Sequence, residues 1–238
     1  MSNCIAAFDV ESTGVDITDR PVQVCLTLRA EGVDRILFNE LTNPCMNISE
    51  GAMAVHGITN EMVAGMPDYA MTAWKLKVVV QSLGLKPVLV TFNGRSLDVP
   101  MINRCLGAEV FEGLDHVDVL QFARRHFPLV KGNVSKGGKT LGELYLHFMG
   151  KELVGAHDAS VDVKATLDLL DAMRKKAGMT LDALIEDQKT YKPYAIMPLG
   201  AHIGKSIDEV PRSWAQFMKD KELDGDLKAT VDYILGRA

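Results

Sequence analysis

Cysteine is scarce in this chain: four among 238 residues, at positions 4, 25, 45 and 105. None forms a CxxC pair and none stands at metal-site spacing from a histidine, which argues against a zinc ribbon or finger. Such isolated thiols read as small core or surface residues in a reducing compartment, not as a disulfide framework. Long apolar runs are missing too, each falling far short of the ~20 residues a membrane span needs. No charged-then-apolar leader opens the sequence. The expectation is a cytoplasmic protein that does not engage a membrane. Positive charge is not in excess: 26 Lys and Arg against 31 Asp and Glu leave −5. That excludes a histone-like packager, although a local basic patch could still hold a phosphate backbone. Repeats and low-complexity tracts are absent as well. What the chain does have is a 47% hydrophobic share with 24% charged residues, enough for a sizeable core and too much for wholesale disorder.

Residues 3–10 form a mostly apolar run of strand length that ends in carboxylates. Residues 22–30 alternate in part, and 33–39 follow Glu31-Gly32, so the three read as a strand meander. Ser49 and Thr59 open two short helices, and 72–83 has helical spacing that stops at Gly84. Residues 87–92 read as a short buried strand, with Asn93-Gly94 as a turn. Beyond it the pattern is helical, over 97–106, 117–127, 140–149 and 158–176. Strands followed by helices, with one parallel strand returning, suggest an α/β fold with a ribonuclease-H-like mixed sheet flanked by helices. A boundary near 178 separates residues 1–178 from a linker helix and small C-terminal α+β appendage over 179–238.

Asp9 and Glu11 stand at i and i+2 on the end of the first strand, so both carboxylates point to one face. At the edge of a core such acids repel each other and resist ionisation. A hard divalent cation with oxygen ligands resolves the conflict. Asp98 follows a strand-to-helix turn, and His157 and Asp162 flank the start of the longest helix. Singly, each has a bland alternative. Asp9-x-Glu11 could be a solvated strand end, Asp98 a helix N-terminal acid stabilised by the macrodipole, and His157 a surface histidine beside a capping aspartate.

Together, Asp9-x-Glu11, Asp98 and His157-x-Ala-x-x-Asp162, in that order, resemble the DnaQ-like DEDDh family of proofreading-type 3′→5′ exonucleases. The stretch Ala54-Val-His-Gly-Ile-Thr59, followed by Glu61-Met-Val63, is similar to a segment this family carries between its first two motifs. The resemblance spans about residues 3–175, and its layout is exonuclease-X-like. It implies a phosphodiester hydrolase that removes nucleoside 5′-monophosphates from DNA 3′ ends with two Mg²⁺ or Mn²⁺ ions. Asp9 would bridge the ions, Glu11 and Asp162 would hold the water-activating one, and Asp98 would serve the other. His157 would be the general base, because imidazole titrates near neutrality. Thr13, Gly14 and Val15 become contacts to the terminal nucleotide, with Asn93 and Leu97 near the same strand. His56 matches a residue near that pocket or is a structural histidine capping the next turn; both readings stay open. Leu97 replaces the usual Phe, and base–aromatic stacking is worth ~1–3 kcal/mol, so a weaker grip on the penultimate base is implied.

Residues 124–139 hold five Lys and Arg and no acid. Lys131, Lys136 and Lys139 there are expected to track phosphates of an entering single strand, against the alternative of a solvated loop. Met197–Ser206 lacks the G-x-x-x-x-G-K-[ST] spacing of a phosphate loop, but with the residues up to Trp214 it resembles the C-terminal module of exonuclease-X-like proteins. Seven Lys and Arg against seven Asp and Glu over 191–238 give that module no basic character. Trp214 and Phe217 read as core. The implied partner is DNA with a single-stranded or frayed 3′ end. An exoribonuclease acting on RNA, or a subunit docked on a polymerase or other replication or repair protein, is the alternative.

Overall fold

Ile5, Ala6, Ala7 and Phe8 are all buried, and an apolar run without alternation belongs in the middle of a covered sheet. In the computed structural model, which describes residues 4–128, 139–221, 223 and 225–237, this run forms β1 (Ile5–Ser12), the central strand of five. Antiparallel to it lies β2 (Pro21–Ala30), and outside that β3 (Val33–Leu41). Glu31 and Gly32, both at positive φ, make the two-residue turn whose twist suits a hairpin. On the other side of β1, β4 (Val88–Thr91) and β5 (His116–Asp118) run parallel to it. The order β3-β2-β1-β4-β5 is the expected ribonuclease-H-like mixed sheet.

Helices fall where caps occur in the sequence. Ser49 caps α1 (Glu50–His56), Thr59 caps α2 (Asn60–Val63) and Asp68 caps α3 (Tyr69–Ser82). The last cap starts α3 three residues ahead of the expected position. Next come α4 (Asp98–Leu106), α5 (Val119–His126), α6 (Leu141–Met149), α7 (Ala159–Ala177) and α8 (Leu181–Gln188). Finally come α9 (Arg212–Met218) and α10 (Gly225–Gly236). The helix expected over 117–127 is in fact β5 followed by α5. A three-residue strand is too short for its period to show next to a helix.

The chain divides into two compact units, Met1–Val119 with Leu153–Asp171, and Leu120–Glu152 with Ala172–Ala238. The first is cored by Phe8, Leu26, Phe38, Leu76, Leu89, Ile102 and Phe111, with Phe8 and Phe111 edge to face at 4.8 Å. The second has its own core of Met197, Ile207, Val210, Ala215, Val231 and Ile234. Among the described residues its strand-like pairing is the Ile196–Ser206 bridge. Trp214 packs on this core, but Phe217 is 69% exposed and carries the Lys221 ammonium over its ring, contrary to the expectation that both are core.

The expected boundary near 178 is also drawn differently, because Arg125 ties residues 120–152 to the C-terminal part. Its guanidinium forks onto both carboxylate oxygens of buried Asp226 at 2.6 Å, reaches Asp187 at 3.0 Å, and donates to the Thr190 carbonyl at 2.8 Å. Lys139 acts similarly. Only 4% exposed, its ammonium donates to the Pro128 and Pro198 carbonyls, and burial, with Arg124 adding, lowers it to about 8. A side chain so engaged is not a surface phosphate contact, which corrects that reading of Lys139. Lys131 and Lys136 lie outside the described residues.

Burial alone would raise Asp187, but bonds from Lys192, Arg125 and His126 outweigh it and hold the carboxyl at about 2. Its folded value lies below its unfolded one, so its stabilisation is complete above about pH 4 and is lost as pH falls toward 2. Arg125→Met leaves Asp226 as an uncompensated buried charge. Urea titration should show a loss of about 3–5 kcal/mol at neutral pH and a smaller difference from the unaltered protein at pH 2.5; equal stability at neutral pH would contradict the role given to Arg125.

Candidate active site

The three mutually parallel strands β1, β4 and β5 end at one edge of the sheet, where open α/β sheets bind ligands. Asp9 and Glu11 close β1, facing Cys25 and Gln23 of β2 in register. Their shared face follows from the strand period. From β4 the chain turns through Asn93, in the left-handed region at φ 63°, and enters α4 at Asp98. The Asp98 Oδ1 accepts the Val10 N–H at 3.1 Å, so Asp98 docks on the residue between the two β1 acids. His157, also left-handed at φ 68°, precedes α7 and donates its N–H to Asp162 Oδ2 at 3.2 Å. The ligand atoms of Glu11, His157 and Asp162 lie within 4.8 Å of one another.

The entry to α7 is fixed from the sheet. Asp158 caps it by accepting the Ser160 N–H and hydroxyl at 2.9 and 2.6 Å. Gln23 accepts the Ala159 N–H at 3.2 Å and donates to Asn39 at 3.1 Å. In this way the residue opposite Glu11 also holds the turn that presents His157.

Glu11 is 9% exposed, and Asp98 and Asp162 are buried. Burial, and then the charges of Asp98, Asp162 and Glu11, push Asp9 well above the carboxylate range. Glu11 is raised to about 8 by burial and then by Asp162 and Asp98. Burial lifts Asp98 to about 7, with Asp118 adding and the Val10 N–H opposing. Asp162 is raised by burial, partly offset by the N–H and the charge of His157. Its Oδ1 is buried without a hydrogen-bond partner. The four acids are held close together, and the donor set is carboxylate oxygen with one imidazole. Both features fit a hard divalent cation.

The loop after β1 is built around Asp19, whose carboxylate accepts the Thr13 hydroxyl at 2.5 Å and the Asp16 N–H at 2.7 Å. A Cβ at position 14 would lie 2.5 Å from Asp19 Oδ2 and would displace the carboxylate on which this loop is built. Thr13 is buried and its hydroxyl is engaged within the loop. Val15, 74% exposed, is free to meet a nucleotide. His56 accepts the Ile58 N–H on Nδ1 at 3.0 Å, which places the proton on Nε2, 3.2 Å from the Ser12 carbonyl. Its ring thus caps the turn that follows α1. Leu97 is half-buried at the mouth of α4. Sequence reasoning missed Gln23 and Asp118. The second would have stood out had 116–118 been read as a strand, because its acid then ends at the same sheet edge.

Residues 6–170 match the family model of the RNase T type, described as exonuclease. The chain belongs to this exonuclease family. Among solved structures, exonuclease X in complex with 5′-overhanging duplex DNA is 19% identical with a TM-score of 0.53, covering 76% of this chain and 98% of its own. Exonuclease I from Methylocaldum szegediense is 19% identical with a TM-score of 0.58, over 78% of this chain and 42% of its own. Exonuclease I of E. coli with a dT13 oligonucleotide is 18% identical with a TM-score of 0.57, over 74% and 41%. At these identities the likeness shows the fold, and the chain spans less than half of the exonuclease I chains. No curated protein matches it by sequence.

The raised acids of this exonuclease have a measurable consequence. Where folded values exceed unfolded ones, the unfolded chain loses its protons first and stability falls as pH rises. In chelator, the Glu11 contribution should reduce the melting temperature between about pH 5 and 8, and Mn²⁺ should restore it. Glu11→Gln should flatten that slope. An identical slope in the variant would show that Glu11 is not strained by its neighbours.

Proposed function

We propose that the protein is a 3′→5′ exodeoxyribonuclease that hydrolyses the terminal phosphodiester of DNA and releases nucleoside 5′-monophosphates. The observation that carries this reading is the convergence of Asp9, Glu11, Asp98 and Asp162, with His157 within 4.8 Å of two of them, in a chain of the exonuclease family. DNA as substrate is supported by the relatives seen with a duplex and with an oligonucleotide.

Asp9, between the other acids, would share two cations, Glu11 and Asp162 would hold one, and Asp98 would complete the other. Bound there, Mg²⁺ or Mn²⁺ supplies an acidified water and a counter-charge for the pentavalent phosphorus. His157 takes the proton of the attacking water, and its exposure lets it pass that proton to solvent. The 3′ oxygen of the penultimate nucleotide leaves and is protonated, so the shortened strand again ends in a hydroxyl. Val15 meets the terminal base, and Leu97 offers the next base an aliphatic contact instead of a stack.

The test is incubation with 5′-labelled single- and double-stranded DNA and matched RNA, with and without Mg²⁺. Stepwise shortening of DNA that requires Mg²⁺ and vanishes in Asp9→Ala is expected; mononucleotides released from the labelled end would refute it. His157→Ala should lower single-turnover rates by about 10²–10⁴-fold while Mn²⁺ binding persists, and an unchanged rate removes His157 from the base role.

A further inference from the structure

Asp118 is a buried acid beside the site that the chemistry leaves unused. It is 3% exposed at the end of β5. Its Oδ1 accepts the Asn93 N–H at 3.1 Å and its Oδ2 the Arg95 N–H at 3.2 Å, so both oxygens hold the turn between β4 and α4. That turn needs holding. Asn93 sits in the left-handed region at φ 63°, which residues with a Cβ seldom occupy. Gly94 presses on Thr91 so closely that a Cβ would lie 2.5 Å from the threonine Cβ. The Arg95 guanidinium closes the clamp by donating to the His116 carbonyl.

The clamp leads directly into α4. Ser96 N–H donates to the Asn93 carbonyl at 3.2 Å and Val99 N–H to that of Gly94 at 3.0 Å. Asp98 lies between those two donors, and its own Oδ1 is committed to Val10. Movement of the 93–95 turn therefore moves Asp98 against β1.

We propose that Asp118 is a positioning residue that fixes the Asn93–Arg95 turn and so delivers Asp98 to the β1 carboxylates. The inference rests on the exonuclease reading and adds to it a residue outside the five motif positions. Charge-assisted bonds to backbone N–H groups are the strong kind, and partners that orient ligands from behind typically change affinity or activity by about 10–100-fold.

The test uses Mn²⁺ titration calorimetry without substrate, together with steady-state kinetics, on Asp118→Ala and Asp118→Asn. Asp118→Ala should weaken Mn²⁺ binding and lower kcat by about 10–100-fold, with KM changing far less. Asp118→Asn keeps the shape and one acceptor oxygen and should recover part of both losses; it also stands alone if the alanine variant does not fold. In an Asp98→Asn background, Asp118→Asn should add no further loss of Mn²⁺ affinity. Unchanged Mn²⁺ binding in Asp118→Asn, equal losses in both backgrounds, or equal losses for Asn and Ala would each overturn the proposal, the last by indicating charge alone. A protein that binds Mn²⁺ and obeys this cycle but releases no nucleotide would sink the exonuclease reading and leave the positioning role standing.

Discussion

Repulsion among four carboxylates in a partly dehydrated pocket is the constraint around which the first unit is organised. Burial raises every one of them and neighbouring acids add to it, and a fold keeps such an arrangement only if the surrounding structure enforces it. Enforcement here is by backbone. Asp9 and Glu11 are locked by their place on the central strand, Asp98 by the Val10 N–H, and Asp162 by the N–H of His157. Carboxylate oxygens gathered beside an imidazole make the site suited to a hard cation.

The contrast with Arg125 shows the two ways this chain treats buried acid. Asp187 and Asp226 are paired internally with a guanidinium, and bonds from Lys192, Arg125 and His126 together hold Asp187 at about 2. The sheet-edge acids are left strained. The two turns that carry site residues, at Asn93 and His157, are both left-handed without glycine, and strain of this sort gathers where side chains must be aimed.

Much of this was legible in the sequence because the signals were local. The apolar run ending in Asp9-x-Glu11, the Ser49 and Thr59 caps and the Asn93-Gly94 turn all depend on near neighbours. So does the order of the three acidic motifs, from which the exonuclease resemblance followed. What was not legible depends on contacts distant in sequence. The β5 strand is defined by pairing with β4, not by any period of its own, so Asp118 disappeared into a helix. Gln23 looked like an ordinary strand residue until α7 was set against it. Lys139 looked basic and loop-like, but its ammonium is consumed by two carbonyls. Phe217 had helical spacing from Trp214, yet faces outward. Residue type and spacing announced chemistry; they did not announce which side chains the fold had already engaged.

The central claim is that these acids form one cation-holding centre, and anomalous scattering from a crystal grown with Mn²⁺ tests it most directly. The account requires Mn²⁺ peaks within bonding distance of Asp9, with Glu11 and Asp162 on one ion and Asp98 on the side of the other. A map with no peak among these carboxylates at saturating Mn²⁺, or with the metal bound elsewhere on the chain, would contradict it.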